Sequence, residues 1–263
     1  MSILAEIAEK TRQRVAEEKK SLPLPQLRAQ AEAMDASTGF PFAQALAAPG
    51  MSFICEVKKA SPSKGLIAPN FPYLDIAKEY QAAGAAAISC LTEPYWFQGS
   101  DQYLKEIAQA VTIPVLRKDF TVDEYMIYGA KVLGASAVLL ICAILDDGQL
   151  KDYLALAHSL GLSALVEAHD ETELNRALSA GAGIIGVNNR DLRTFTVDVS
   201  NSLRLRKLAP PEVLFVSESG IKTPEDIQKL YDNGTNAVLI GETLMRAPDK
   251  KAMLAQLRGG TTA

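Results

Sequence analysis

The chain has 263 residues, 48% of them apolar, and a formal net charge of -4, so it reads as a globular protein with one large core or at most two domains. Its acids and bases are interspersed, which leaves no field of one sign to attract nucleic acid or an anionic membrane. No apolar stretch approaches the roughly 20 residues that span a bilayer, and residues 1–20 are too charged for a signal peptide, so the expected location is cytoplasmic.

The first 45 residues stand apart. Residues 2–20 are highly charged with apolar positions at Ile3, Leu4, Ile7 and Val15; Pro23 and Pro25 then break the pattern, and a second helical stretch follows at 26–34. This reads as a helical extension, 1–45, packed on a single domain, 46–263, either as a cover for apolar surface or with a direct role at a site. From there, short runs rich in Val, Ile, Leu and Ala recur roughly 20 to 35 residues apart, at 52–57, 86–91, 113–116, 136–141, 163–166, 183–187, 213–217 and 236–240. Helical patterns lie between them at 74–83, 125–133, 149–160, 171–180 and 224–233. Most finish at a glycine (Gly84, Gly134, Gly161, Gly181, Gly234), the residue that best adopts a left-handed C-terminal cap. Asp170 and Thr223 mark helix starts as N-cap oxygens. Alternating strand and helix place the chain in the α/β class. A closed (βα)8 TIM barrel with an N-terminal helical extension is the most economical arrangement; a doubly wound open sheet competes, because periodicity does not show whether the last strand pairs with the first.

Six of the apolar runs end in ionisable or amide side chains: Glu56 with Lys58, Glu93, Lys118, Glu167, Asn188 and Glu218. A charge at the end of a buried strand has to face a cleft, a partner or water. Barrel enzymes assemble their sites at this C-terminal face. In Phe53-Ile-Cys-Glu-Val-Lys58 alternation puts Glu56 and Lys58 on one side and Cys55 and Val57 on the other. Lys118 stands above Leu116, Glu167 above Leu165 and Glu218 above Val216 with the same parity. An opposite charge at about 4 Å is worth roughly 4 kcal/mol at an effective dielectric near 20, enough to oppose the desolvation of Lys118 and keep it protonated. The segment after the first strand, Lys59-Ala-Ser-Pro-Ser-Lys-Gly65, is long for this fold and could close over a ligand. Ser217-Glu-Ser219-Gly220 and Ile240-Gly241-Glu242-Thr243 bring small residues to the last two strand ends, where backbone N–H groups can meet a phosphate. Cys55, Cys90 and Cys142 match neither zinc nor disulfide spacings and read as buried thiols.

Taken together, Glu56-Val-Lys58-Lys-Ala-Ser61-Pro-Ser63, Pro114-Val-Leu-Arg-Lys118-Asp-Phe120, Val166-Glu167, Gly186-Val-Asn188-Asn-Arg190-Asp-Leu192, Ser217-Glu218-Ser219-Gly220-Ile221 and Leu239-Ile-Gly241-Glu-Thr-Leu-Met-Arg246 resemble the indole-3-glycerol-phosphate synthases over nearly the whole chain. The resemblance implies a lyase of tryptophan biosynthesis. It would close the indole ring of 1-(2-carboxyphenylamino)-1-deoxyribulose 5-phosphate with loss of carbon dioxide and water, without metal or cofactor. It also implies roles: Lys118 as general acid, Glu167 as acid/base in the dehydration, and Lys58 holding the substrate's anionic groups. Glu56, Asn188 and Glu218 would bind hydroxyls, the amine or the lysines. Ser219, Gly220, Gly241 and Glu242 would cradle the phosphate through backbone N–H groups, Arg190 and Ser61 would add anion contacts, and Phe97, Phe120 and Leu139 would line the anthranilate pocket. The expected partner is a small phosphorylated substrate, and the expected assembly a monomer or weak homo-oligomer. Two features depart from the family pattern: Glu242 stands where some members have serine, and the extension lacks an aromatic residue found in some relatives. His158 and His169 have no expected role at the site. The same residues leave other chemistries open: a Schiff-base aldolase with Lys118 as nucleophile, a sugar-phosphate isomerase needing one acid and one base, or a non-catalytic barrel that binds a phosphorylated ligand.

Overall fold

A computed structural model describes residues 2–191 and 194–259. Its strands are β1 (Ser52–Val57), a short antiparallel hairpin of β2 (Ala60–Ser61) and β3 (Gly65–Leu66), then β4 (Ala87–Leu91), β5 (Val115–Lys118), β6 (Ala137–Ile141), β7 (Ser163–Ala168), β8 (Ile184–Asn188), β9 (Leu214–Glu218) and β10 (Ala237–Ile240). Apart from the hairpin these form one closed parallel barrel in the order β1-β10-β9-β8-β7-β6-β5-β4. Closure runs through the register Ser52↔Ala237 to Cys55↔Ile240, which excludes the open sheet. The third barrel strand lies two residues later than its apolar run suggests. Pro114 precedes it, and Arg117 and Lys118 extend it, because outward-facing Arg117 is paired with Asp101 (2.7 Å) and bonded to Thr92 and Met126 O.

Alternation along each strand makes two cores. Outward residues such as Cys55, Cys90, Val138, Val166 and Phe215 pack under the surrounding helices, while Ile54, Leu116, Leu139, Leu165, Val216 and Leu239 fill the barrel. The three cysteines are all buried and free. Gly84, Gly134, Gly161, Gly181 and Gly234 have φ between +72° and +90°, so each turns the chain from a helix into the next strand in a conformation that a Cβ would strain. Among the described residues no helix is long and apolar enough to cross a membrane.

The N-terminal helices run over three sides of the barrel. α1 (Ile3–Ser21) crosses the C-terminal face, where Ile3, Leu4 and Ile7 reach the central cavity. α2 (Leu24–Glu32) packs against α6 (Glu124–Val132) on the flank. α3 (Pro41–Leu46) closes the N-terminal face: Phe42 and Leu46 are fully buried in the inner core, and the hydroxyl of Ser52, at the start of β1, donates to Ala45 O. Among the described residues two ion pairs tie α1 to the barrel. Arg14 donates to the buried carboxylate of Asp119 at 2.8 Å, and Lys19 pairs with Asp123 at 2.7 Å. Asp119 immediately follows Lys118, and it also accepts from Thr92 Oγ1 and Phe120 N, so one carboxylate joins the extension to the end of β5.

Removing Arg14 leaves Asp119 buried with only Arg117 (3.7 Å) as a cation. The Arg14→Met variant is therefore expected to lose about 3 kcal/mol of stability. Urea unfolding should show a lower midpoint at unchanged m value; an unaltered midpoint would mean that the pair does not hold the helix.

Candidate active site

Barrel register decides which side chains meet. Lys118 on β5 is in register with Leu91 on β4; Glu167 on β7 lies between Ile141 and Gly186, and Glu218 on β9 between Asn188 and Leu239. All of these residues point inward or rim a cavity of about 640 Å³ at the C-terminal ends of the strands. Every residue to which the family resemblance gave a role lines it: Glu56, Lys58, Ser61, Phe97, Lys118, Phe120, Leu139, Glu167, Asn188, Arg190, Glu218, Ser219, Gly220, Gly241 and Glu242. Leu192, the end of one recognised motif, lies outside the described residues.

At the floor, the Lys118 ammonium lies 3.0 Å from Glu167 Oε2 and 3.2 Å from Glu218 Oε2. Burial alone would lower the lysine pKa, but Glu167, Glu218 and Glu56 outweigh it and raise it, so Lys118 is a cation. Burial likewise works against ionised Glu167, yet Lys118 and His169, with a hydrogen bond from Asn188 Nδ2, hold its pKa below the ordinary value. Glu218 goes the other way. Burial and the neighbouring Glu167 charge push it up to about 7 despite Lys118, and its Oε1 is buried without a hydrogen-bond partner. One lysine thus serves two carboxylates, and the second holds its proton more tightly.

On the opposite wall Glu56 and Lys58 form an ion pair, as their shared parity requires. The glycines beside these groups explain themselves. A Cβ at Gly241 would collide with Glu56 Oε1 and come within 2.8 Å of Lys58 Nζ, and one at Gly186 would collide with Glu218 Oε1. Gly241 is therefore small for the sake of the Glu56–Lys58 pair beneath it. Ser219 and Gly220 both have positive φ (68° and 84°), so the turn after β9 is a left-handed loop. Gly220 also abuts Val197. The carboxylate of Glu242 is paired with Arg246 (3.1 Å) and Lys64 (3.6 Å), so its charge is answered locally. Phe97 and Phe120 lie 6.1 Å apart as a tilted aromatic pair in the wall.

Some of the site departs from the sequence reading. Glu93, expected at the cleft with the other strand-end charges, is fully buried and accepts from the backbone N–H groups of Tyr95, Trp96 and Phe97; it shapes the loop that presents Phe97 and does not line the cavity. The long loop after β1 is tied down by its hairpin and by Ile67 and Ala68 donating to Lys59 O. Residues that sequence reasoning missed are the rim cations Lys64, Lys222 and Arg246, and His169, whose Nε2 is 3.4 Å from Glu167 Oε1. Only the interval of two from Glu167 to His169 hinted at that contact. Among the described residues no group of three His, Cys, Asp or Glu side chains is placed to hold a metal ion.

Comparisons with known proteins bear on the family and the fold. The family model for indole-3-glycerol phosphate synthase matches residues 4–257. An indole-3-glycerol phosphate synthase of Ruminiclostridium cellulolyticum is 57% identical over 98% of this chain and 99% of its own length, and one of Lachnoclostridium phytofermentans is 51% identical over 97% and 98%. In fold, the chain is similar to 3-hexulose-6-phosphate synthase from Salmonella typhimurium, with a TM-score of 0.66 at 13% identity over 80% of this chain and 97% of that one.

Two outcomes are expected from the floor of the cavity. Gly186→Ala should displace the Glu218 carboxylate and cost about 1–3 kcal/mol as an overpacked site, read by denaturant unfolding. Because the folded pKa of Glu218 is raised from 4.5 to about 7, the folded chain binds more protons than the unfolded one in that window, and this group's contribution to stability falls as pH rises through it. The Glu218→Gln variant should therefore show a flatter decline of unfolding free energy between pH 4.5 and 7 than the parent; parallel curves would contradict the raised value.

Proposed function

The chain belongs to the indole-3-glycerol phosphate synthase family, and we propose that Lys118 is the general acid of its ring closure. The enzyme converts 1-(2-carboxyphenylamino)-1-deoxyribulose 5-phosphate to indole-3-glycerol phosphate, carbon dioxide and water. The observation that carries the assignment is the Lys118 ammonium, protonated and held between Glu167 and Glu218 at the floor of a cavity lined both by aromatic side chains and by the glycine-containing turns after β9 and β10.

In this reading the phosphate sits against the backbone of Ser219, Gly220, Gly241 and Glu242, with Arg190 and Ser61 as further anion contacts. The anthranilate ring lies among Phe97, Phe120 and Leu139, and Ile3, Leu4 and Ile7 of α1 close that side. Lys58, paired with Glu56 below Gly241, holds the substrate's anionic groups. The ring carbon bearing the carboxylate attacks the ketone as Lys118 protonates the ketone oxygen, an acid step favoured in a largely dry site. Attack leaves an iminium on the amine nitrogen; the C–CO2 bond breaks into it and carbon dioxide leaves. Glu167, ionised at rest, then takes the methylene proton as the pyrrole double bond forms and returns it to the departing hydroxyl, which leaves as water. Lys118 regains from solvent the one proton that the reaction consumes. Asn188 and Glu218 orient Glu167, Lys118 and the substrate hydroxyls.

A Schiff-base reading of Lys118 is less well supported, since a nucleophilic lysine needs a lowered pKa and this one is raised. Lys118→Met is expected to lower kcat by roughly 10² to 10⁴ with the fold intact, followed by indole fluorescence on addition of the carboxyphenylamino-ribulose phosphate. Near-normal turnover would reject the assignment. Gly220→Asp, which adds both bulk and charge beside the phosphate loop, should chiefly raise KM; an unchanged KM would place the phosphate elsewhere.

A further inference from the structure

His169 is outside the cavity lining, yet its ring is built into the catalytic floor from behind. It follows β7 by one residue, on the turn into α8 (Glu171–Ala180). Glu173, in the first turn of α8, grips it twice: one carboxylate oxygen accepts the His169 backbone N–H at 2.8 Å and lies 3.0 Å from Nδ1. Asn201 of α9 (Ser200–Arg206) donates to the His169 carbonyl at 2.9 Å, so backbone and ring are both fixed. With Nδ1 committed, Nε2 is buried, without a hydrogen-bond partner, and 3.4 Å from Glu167 Oε1. The opposite oxygen of that carboxylate is the one that meets Lys118.

We propose that His169 is a positioning residue for Glu167: clamped by Glu173, the ring supplies a second positive charge to the Glu167 carboxylate on the side away from Lys118. The consequence concerns the middle of the reaction and rests on the reading of Glu167 as acid/base. Once Lys118 has given its proton to the ketone, Glu167 loses its principal counter-charge and would draw a proton from any donor within reach. A cation at Nε2 keeps it ionised until the methylene proton is released. The charged groups that face the ring are Glu167 from β7, Glu218 from β9 and Glu173 from α8, while α9 presents the neutral Asn201. Burial opposes the charge on the ring, but these three carboxylates together raise its pKa above the ordinary 6.5. Separate partners on its two oxygens also fix which oxygen of Glu167 faces the lysine, because Oε1 is shared between His169 and Asn188.

The chain has only two histidines, so ring titration followed by NMR is direct. His158 packs edge-on against Phe40 near the other end of the barrel, and a His158→Gln variant identifies the remaining signal. The His169 midpoint is expected above about 6.5 and should fall by roughly half a unit or more in Glu167→Gln and again in Glu173→Gln, since coupling between the two groups is reciprocal. A midpoint at or below that of a free histidine, or one unmoved by Glu167→Gln, overturns the proposal. In turnover, His169→Gln should lower kcat about tenfold at nearly constant KM and move the acid limb of the kcat–pH profile upward, with Glu173→Gln shifting that limb in the same direction but less. A loss of stability with kcat and its acid limb unchanged would leave His169 a structural role only and reject the inference. Glu167→Gln separates the two readings: full turnover there defeats the acid/base assignment of Glu167 alone, whereas an inactive Glu167→Gln beside a fully active His169→Gln with an unshifted limb defeats the positioning role alone.

Discussion

One ammonium between two buried carboxylates is the constraint around which this barrel is arranged. Lys118 lies about equally far from Glu167 and Glu218, and all three are largely withdrawn from water. Burying an unpaired charge costs several kcal/mol, so each member stays charged only while the others answer it. With one lysine for two acids, the acids cannot both be ordinary carboxylates. Glu167 gains Asn188 and His169 and stays ionised; Glu218 does not, and keeps an unpartnered oxygen and a raised pKa. The difference between two chemically identical residues comes from their neighbours.

That cluster dictates sequence at positions which have no chemistry of their own. Gly186 and Gly241 look like ordinary barrel glycines, but each lies where a Cβ would displace a charged side chain from the adjoining strand. Small residues in the barrel wall are thus the complement of large polar ones across the register. The same logic explains Asp119 and Arg117, the neighbours of Lys118. They pair with Arg14 and Asp101, and thereby anchor the end of β5 from outside while Lys118 faces the cavity.

The extension has more than one task because it touches both ends of the barrel. α1 supplies aliphatic wall at the mouth, and α3 plugs the floor with Phe42 and Leu46. A barrel of this size has a packed interior only where side chains fill it. Here the lower half is filled by Leu, Ile, Val and Ala side chains with α3 beneath, and the upper half holds the cavity, with charges at the boundary.

Much of this was legible in the amino-acid order. Buried parallel strands read as apolar runs, helix ends are marked by glycines with positive φ, and period-two parity put Glu56 with Lys58, and Lys118, Glu167 and Glu218 on inner faces. What failed did so for a physical reason. Glu93 ends its run just as the others do, but the loop after it folds back and offers three N–H groups, so local hydrogen bonding captured the carboxylate. His169 reads as a helix-cap or surface residue, and nothing local reveals that α8 brings Glu173 back to grip its ring beside Glu167. By itself, then, the sequence determined the class of fold, the order of its strands and the face that Glu56, Lys58, Lys118, Glu167 and Glu218 occupy, since these follow from local periodicity and hydrophobic burial. Only the tertiary structure decided that the strands close on one another, which acid shares a lysine with which, and which glycine yields space to which carboxylate, because those depend on distances between segments far apart in the chain.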